Sequence, residues 1–226
     1  MSDWVTPIVL AVLAALLVFL VVVRHRSSRE RCRRALKRTE RQAVAAAADG
    51  KVGKVVGKLR FDDDHRPLES LLRGRPCAYY TATVQKKRQV DERYAWVTIL
   101  EETRSAGTAL LEDDGGRALV TLGSPEVVLS EEPRWLDQGS KPATARLQQQ
   151  LAELGELRNG VIADQLQFTE GVVPAGETVA VLGLCRWEND PDPAVARGDY
   201  RTAPRRLVIE PPEQDPLIIS CDPSTF

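Results

Sequence analysis

The spacing of apolar and polar residues changes twice along the chain. Residues 5–23 form an unbroken apolar run with no charge inside it. At ~1.5 Å per residue, a helix of that length covers close to the ~30 Å of a bilayer's hydrocarbon. From 24 to 49 the composition turns to Arg, Lys, Glu, Gln and Ala, good helix formers with only a thin apolar stripe at Cys32, Ala35, Leu36, Ala43 and Val44. This predicts a helix continuing to a stop near Asp49-Gly50. It is either a plain spacer or a self-associating coiled coil.

Beyond residue 50 the period shortens to two. Strands are predicted over 55–60, 77–84, 93–102, 108–111, 117–122, 127–129, 163–170, 178–187, 205–209 and 217–220. In 77–84, Ala78, Tyr80, Ala82 and Val84 share one face. The charged segment 85–92 makes a long hairpin with the strand that carries Tyr94, Trp96, Val97, Ile99 and Leu100. Asp114-Gly115-Gly116 centres a second hairpin. One stretch departs from the period: Leu147, Leu151 and Leu154 recur at helical spacing, so 140–157 is an inserted amphipathic helix. Residues 188–202 read as a polar surface loop. The expected class is α+β. An N-terminal transmembrane helix continues into a basic helix, followed by a mostly antiparallel β-barrel or sandwich-like domain with one inserted helix. The boundaries are an external 1–4, a span at 5–23, a juxtamembrane helix at 24–49, a β-rich domain at 50–222 and a tail at 223–226.

Charge adds a location. Between positions 24 and 41, nine Lys/Arg face only Glu30 and Glu40, although the whole chain carries −1, so the remainder is acidic. Trp4 stands where an interfacial aromatic belongs, and Arg24, Arg26, Arg29, Arg31, Arg33 and Arg34 crowd the other end. Positive-inside bias then places the β-rich domain on the cytoplasmic side of the inner membrane, single-pass. A signal peptide is disfavoured, since the first four residues carry no Lys or Arg and no small-residue cleavage pattern follows. An acidic head excludes nucleic acid as a partner. The basic neck suits anionic lipid headgroups.

The candidate chemistry is thin. Cys32, Cys77, Cys185 and Cys221 lack metal-ligand spacing, and the only histidines are His25 and His65. No metal or cofactor is expected. Gly57-Lys58 is followed by Leu59, which breaks the phosphate-loop pattern. Asp62, Asp63, Asp64 and His65 read as a solvated turn. A nucleophile-base site would have to use His65.

Several phrases, in order, carry a resemblance: Pro67-Leu68, then Gly74, Pro76, Cys77, Tyr79 and Tyr80; Leu110 to Asp113 with Gly116 to Val120; Pro174 to Gly183, including Gly176, Glu177 and Gly183; and Ile209 to Pro212, including Pro211 and Pro212. Together they resemble the GIDE, or beside-a-membrane, domain of mitochondrial-anchored RING ubiquitin/SUMO ligases and their bacterial stand-alone relatives. The resemblance covers 50–222. It implies a ligase label, but the Cys/His array of a RING is absent, so a non-enzymatic scaffold or sensor is expected. Its partner would be a protein, a lipid or a small ligand, with self-association through the span and the helix after it. The enzymatic alternative is a ubiquitin-like conjugation role, with a RING in trans or thiol chemistry at Cys77, Cys185 or Cys221.

Overall fold

The computed structural model describes residues 28–62, 64–90, 93–129, 134–136, 144–158, 161–162, 166–190 and 205–226. Helix α1 spans 28–38. Strands follow as β1 Arg41–Gln42, β2 Lys51–Arg60, β3 Leu68–Glu69, β4 Pro76–Val90, β5 Arg93–Ser105, β6 Thr108–Asp113, β7 Gly116–Thr121, β8 Glu126–Val128 and β9 Arg134–Leu136. Helix α2 is Ala145–Glu153. The rest are β10 Leu157–Arg158, β11 Val161–Ile162, β12 Leu166–Pro174, β13 Thr178–Asn189, β14 Arg205–Glu210 and β15 Ile218–Ser220.

Five strands close a barrel. β2 pairs with β6, β6 with β7, β7 with β14, β14 with β13, and β13 returns to β2. All of these contacts are antiparallel except β7–β14. β13 holds β15 along its first half and β14 along its second. Alternate residues point inward, and Val55, Leu59, Leu111, Val120, Val179, Val181, Leu207 and Ile209 fill the interior. Two glycines permit the close approach. A Cβ on Gly57 would lie 2.5 Å from the Glu112 carbonyl oxygen, and one on Gly183 would lie 2.5 Å from Leu217 Cδ1 and 2.8 Å from the Glu210 carbonyl.

A second, open sheet runs β3-β4-β12-β9, with β5 also paired to β4. Its inner face carries Tyr80, Ala82, Val84, Leu166 and Phe168, and α2 covers it with Leu147 and Leu151. Thr144 caps α2 by accepting from the Leu147 N–H at 3.1 Å. Glu102 pins the helix from the sheet side. Its carboxylate accepts from the Tyr80 hydroxyl, Arg146, Arg104 and Gln150.

Three expectations are corrected. The class is mostly β rather than α+β: the described residues hold two α-helices, and strand dominates. The helix expected over 24–49 stops at 38, because Arg41–Gln42 pair in parallel with β2 while Val44 and Ala47 sink into the barrel core. Nor is α1 a free spacer. Cys32 and Leu36 are buried against the barrel, and the buried Lys54 amine donates to the carbonyls of Leu36 at 3.0 Å and Thr225 at 3.2 Å. The C-terminal Pro223–Thr225 forms a 3-10 turn whose Thr225 carbonyl receives that same amine.

No helix among the described residues is long and apolar enough to cross a membrane. The membrane and single-pass inner-membrane expectation is corrected on that finding and carried no further. Residues 5–23, which suggested it, lie outside the described residues. So do Trp4, Arg24 and Arg26, and most of the 188–202 loop. β13 reaches Asn189, two residues past the expected strand end.

Candidate functional site

β4 and β5 are the longest strands described, and they outrun the sheet that they belong to. Among the described residues, β12 supports β4 as far as the Lys86–Leu166 pair. Past that point Lys87 pairs with Trp96, Arg88 with Ala95, Gln89 with Tyr94 and Val90 with Arg93, and among the described residues the two strands pair only with each other. The result is a two-stranded ribbon. At its base the register shifts opposite Val84 and Gln85, leaving Ile99 as an extra residue. Such a bulge bends and twists a strand pair, re-aiming what lies beyond it.

Directly paired residues share a face, so one face of the ribbon carries Lys87 and Gln89 with Tyr94 and Trp96. The other carries Arg88, Arg93 and Ala95. Tyr94 is 67% exposed and Trp96 43%. The Lys87 ammonium lies 5.2 Å from the Tyr94 ring centroid, a cation–π contact. Lys86, at the base, is tied to Glu156 at 2.7 Å. Arg88 and Arg93 are exposed. Asp91 and Glu92, between the strands, lie outside the described residues.

Two other concavities among the described residues carry structural bonds in their walls. One open groove of about 430 Å³ is lined by Arg41, Lys58, Glu112, Asp113, Thr178 and Phe226. There Asp113 accepts from the N–H groups of Val44 and Gly115, and Glu112 faces Arg60 at 3.4 Å. A second, of about 610 Å³, is lined by Asp49, Arg186, Glu213 and Asp215. Asp49 accepts from the Trp187 N–H at 2.8 Å, and Arg186 pairs with Glu210 at 2.7 Å.

The residues singled out from sequence scatter over the fold. Arg29 donates to the Leu129 carbonyl and Arg33 pairs with Asp222, so both are turned onto the barrel, whereas Arg31 and Arg34 are exposed. Leu68 opens β3. Gly74 takes φ +63 in a turn before Pro76 and Cys77 begin β4, and Pro67 lies in the exposed loop ahead. Tyr79 and Tyr80 point to opposite faces of β4. Gly176, at φ +82, and Glu177 turn β12 into β13 and bond Leu59 on both sides. Pro211 and Pro212 link β14 to β15. These positions build turns and strand ends and share no pocket.

Three thiols are shifted toward the protonated form. Burial, then the hydrogen bond and charge of Glu126, push Cys32 up to about 12. Burial, with Glu170 nearby, pushes Cys77 up to about 12, and burial raises Cys185. All four cysteines are buried and free. His65 is bonded through Nδ1 to Asp62 at 2.7 Å within one exposed turn. Among the described residues, no group of three His, Cys, Asp or Glu is placed to hold a metal ion.

The exposed aromatic pair is what sequence reading passed over. Tyr94 and Trp96 fit the strand alternation and were read simply as strand residues. The signal is Lys87 and Gln89, which stand opposite Trp96 and Tyr94 and leave those aromatics no apolar partner across the hairpin.

Compared with protein-family models, with curated proteins and with solved structures, the chain matches none.

Proposed function

We propose that this protein is a non-catalytic binding module, a scaffold that recognises a partner protein through the β4–β5 ribbon. The observation that carries this reading is Tyr94 and Trp96, two large aromatic side chains exposed on a ribbon that no other described strand pairs with. Fully burying such a side chain stabilises a fold by about 2 kcal/mol, and here a large part of that surface, 67% for Tyr94 and 43% for Trp96, stays exposed. Trp, Tyr and Arg are also the residues that dominate binding energy at protein interfaces. Here Tyr94 and Trp96 share one face of the ribbon and Arg93 stands on the other.

The thiols support the non-catalytic half of the reading. A thioester-forming cysteine needs accessible thiolate, whereas burial keeps Cys32, Cys77 and Cys185 as thiols. The GIDE resemblance belongs to the proposal as a likeness at the level of the domain. The residues that carry it make turns and strand ends, so it supports a shared scaffold and lends nothing to a ligase step.

The test is a selection of displayed random peptides on the wild-type protein, followed by affinity measurement on Tyr94→Ala/Trp96→Ala. The reading expects the selected peptides to lose at least about tenfold in affinity on the variant, or ~1.4 kcal/mol. Equal affinity for both proteins would place recognition elsewhere and overturn it.

A further inference from the structure

Helix α1 lies on the outer face of the barrel, and its hold there is mostly polar. Of its side chains only Cys32 and Leu36 are buried, against Val56, Val128, Ala180 and Leu182. The Ser28 hydroxyl and the Cys32 thiol both donate to the Glu126 carboxylate on β8. Two further contacts join α1 to the 3-10 turn Pro223–Thr225. Arg33 pairs with Asp222 at 3.0 Å, and Asp222 also caps the turn by accepting from the Ser224 N–H. Lys54, on β2, sends one amine to the Leu36 carbonyl at 3.0 Å and to the Thr225 carbonyl at 3.2 Å. Lys54 is 4% exposed, and both of these acceptors are neutral. Burial, then the charge of Arg41, lowers its pKa. An amine buried this way forgoes the hydration that it regains when α1 lifts, so closure is opposed by the group that fastens it.

From this geometry we infer that α1 is a strap that leaves and rejoins the barrel together with the turn Pro223–Thr225, the two being coupled through Lys54. The strap is independent of the ribbon and of its role in recognition. The amine is a shared donor. When the turn moves away, Lys54 loses one of its two acceptors, and Arg33 loses its fixed carboxylate at the same step. The seated α1 is weakened accordingly. The same holds from the other end, because a coupling between two segments is reciprocal. With few apolar contacts and a polar clasp, α1 belongs to the segments that open locally while a core stays folded. The cluster that fills the barrel shares no residue with the patch under α1, so the strap can lift without opening the barrel. Lifting it uncovers Val56, Val128, Ala180 and Leu182 and frees the Cys32 thiol from Glu126. A contact that draws either segment off the barrel therefore releases the other.

The experiment reads the strap in the full chain through Cys32, labelled with N-ethylmaleimide and quantified by peptide mass spectrometry beside Cys77 and Cys185. Thr225→Val removes a hydroxyl that bonds the Ser220 hydroxyl at 2.8 Å and the Asp222 carbonyl at 2.7 Å, so it loosens the turn from within. The inference expects Cys32 labelling to rise at least about tenfold, with Cys77 and Cys185 within about twofold of wild type. Leu36→Ala loosens α1 instead, and is expected to speed amide exchange at Thr225 and Phe226 at least about tenfold. In a Lys54→Met protein the bridge is gone, so adding Thr225→Val should change Cys32 labelling by less than about threefold. Unchanged Cys32 labelling in Thr225→Val overturns the inference. So does a parallel rise at all three cysteines, which would mean that the whole barrel opens. If Thr225→Val does not fold, Leu36→Ala decides: wild-type exchange at Thr225 and Phe226 would show that the two segments move separately. A tenfold effect that persists in Lys54→Met removes Lys54 as the coupling group and overturns the inference as well.

Discussion

Glu102 gathers more donors than any other carboxylate described. Tyr80, Arg146, Arg104 and Gln150 all converge on it, and through Arg146 and Gln150 it ties α2 to the sheet. Burial alone would raise its carboxyl, but the hydrogen bonds from Tyr80 and Gln150 and the charges of Arg146 and Arg104 outweigh burial and hold it below the ordinary glutamate range. Because the folded value lies below the unfolded one, this contribution is fully present above about pH 5 and is lost as pH falls through the lowered value. Glu102→Ala strands a tyrosine hydroxyl and a guanidinium, so it is expected to cost about 3 kcal/mol in urea unfolding at neutral pH. The cost relative to wild type should shrink in acid. A pH-independent difference would mean that the carboxylate's charge does not matter there. Asp222 follows the same sign: burial raises it, and Ser224 and Arg33 hold it down.

Closing the barrel depends on how nearly β13 can approach its neighbours. Gly183 faces Leu217, the Glu210 carbonyl and Ile209 at distances that no side chain tolerates. Gly183→Ala should therefore destabilise by about 2–3 kcal/mol, read as a lowered urea midpoint; a wild-type midpoint would show that the strands can separate without cost. Much of this element pattern was legible beforehand. The alternation of Ala78, Tyr80, Ala82 and Val84 gave β4 its buried face, and Asp114-Gly115-Gly116 gave the β6–β7 turn. What misled was local propensity. The Ala-rich stretch after residue 38 suits a helix, yet Val44, Ala47 and the β1 pairing gain more from the barrel than a solvated helix would return. The ribbon was legible as a hairpin. That it outruns β12 was not, because which strand supports which is set by long-range pairing that no local pattern records.

At the scale of the whole molecule, the barrel and the α2-covered sheet form the packed body. The ribbon stands off it with two aromatics and several cations on view. Removing the ribbon should leave that body intact, since residues 87–89 and 93–96 are exposed and contribute little burial. The most direct test replaces residues 87–96 with an Asn-Gly turn joining Lys86 to Val97, a pair already in register. Calorimetric titration then compares this protein with wild type, using a peptide selected on the wild-type chain. The account predicts a shortened protein that unfolds within about 1 kcal/mol of wild type and no longer binds the peptide. A shortened protein that binds the peptide as tightly as wild type would contradict it. So would one that cannot fold, because the ribbon would then be part of the core rather than a recognition arm.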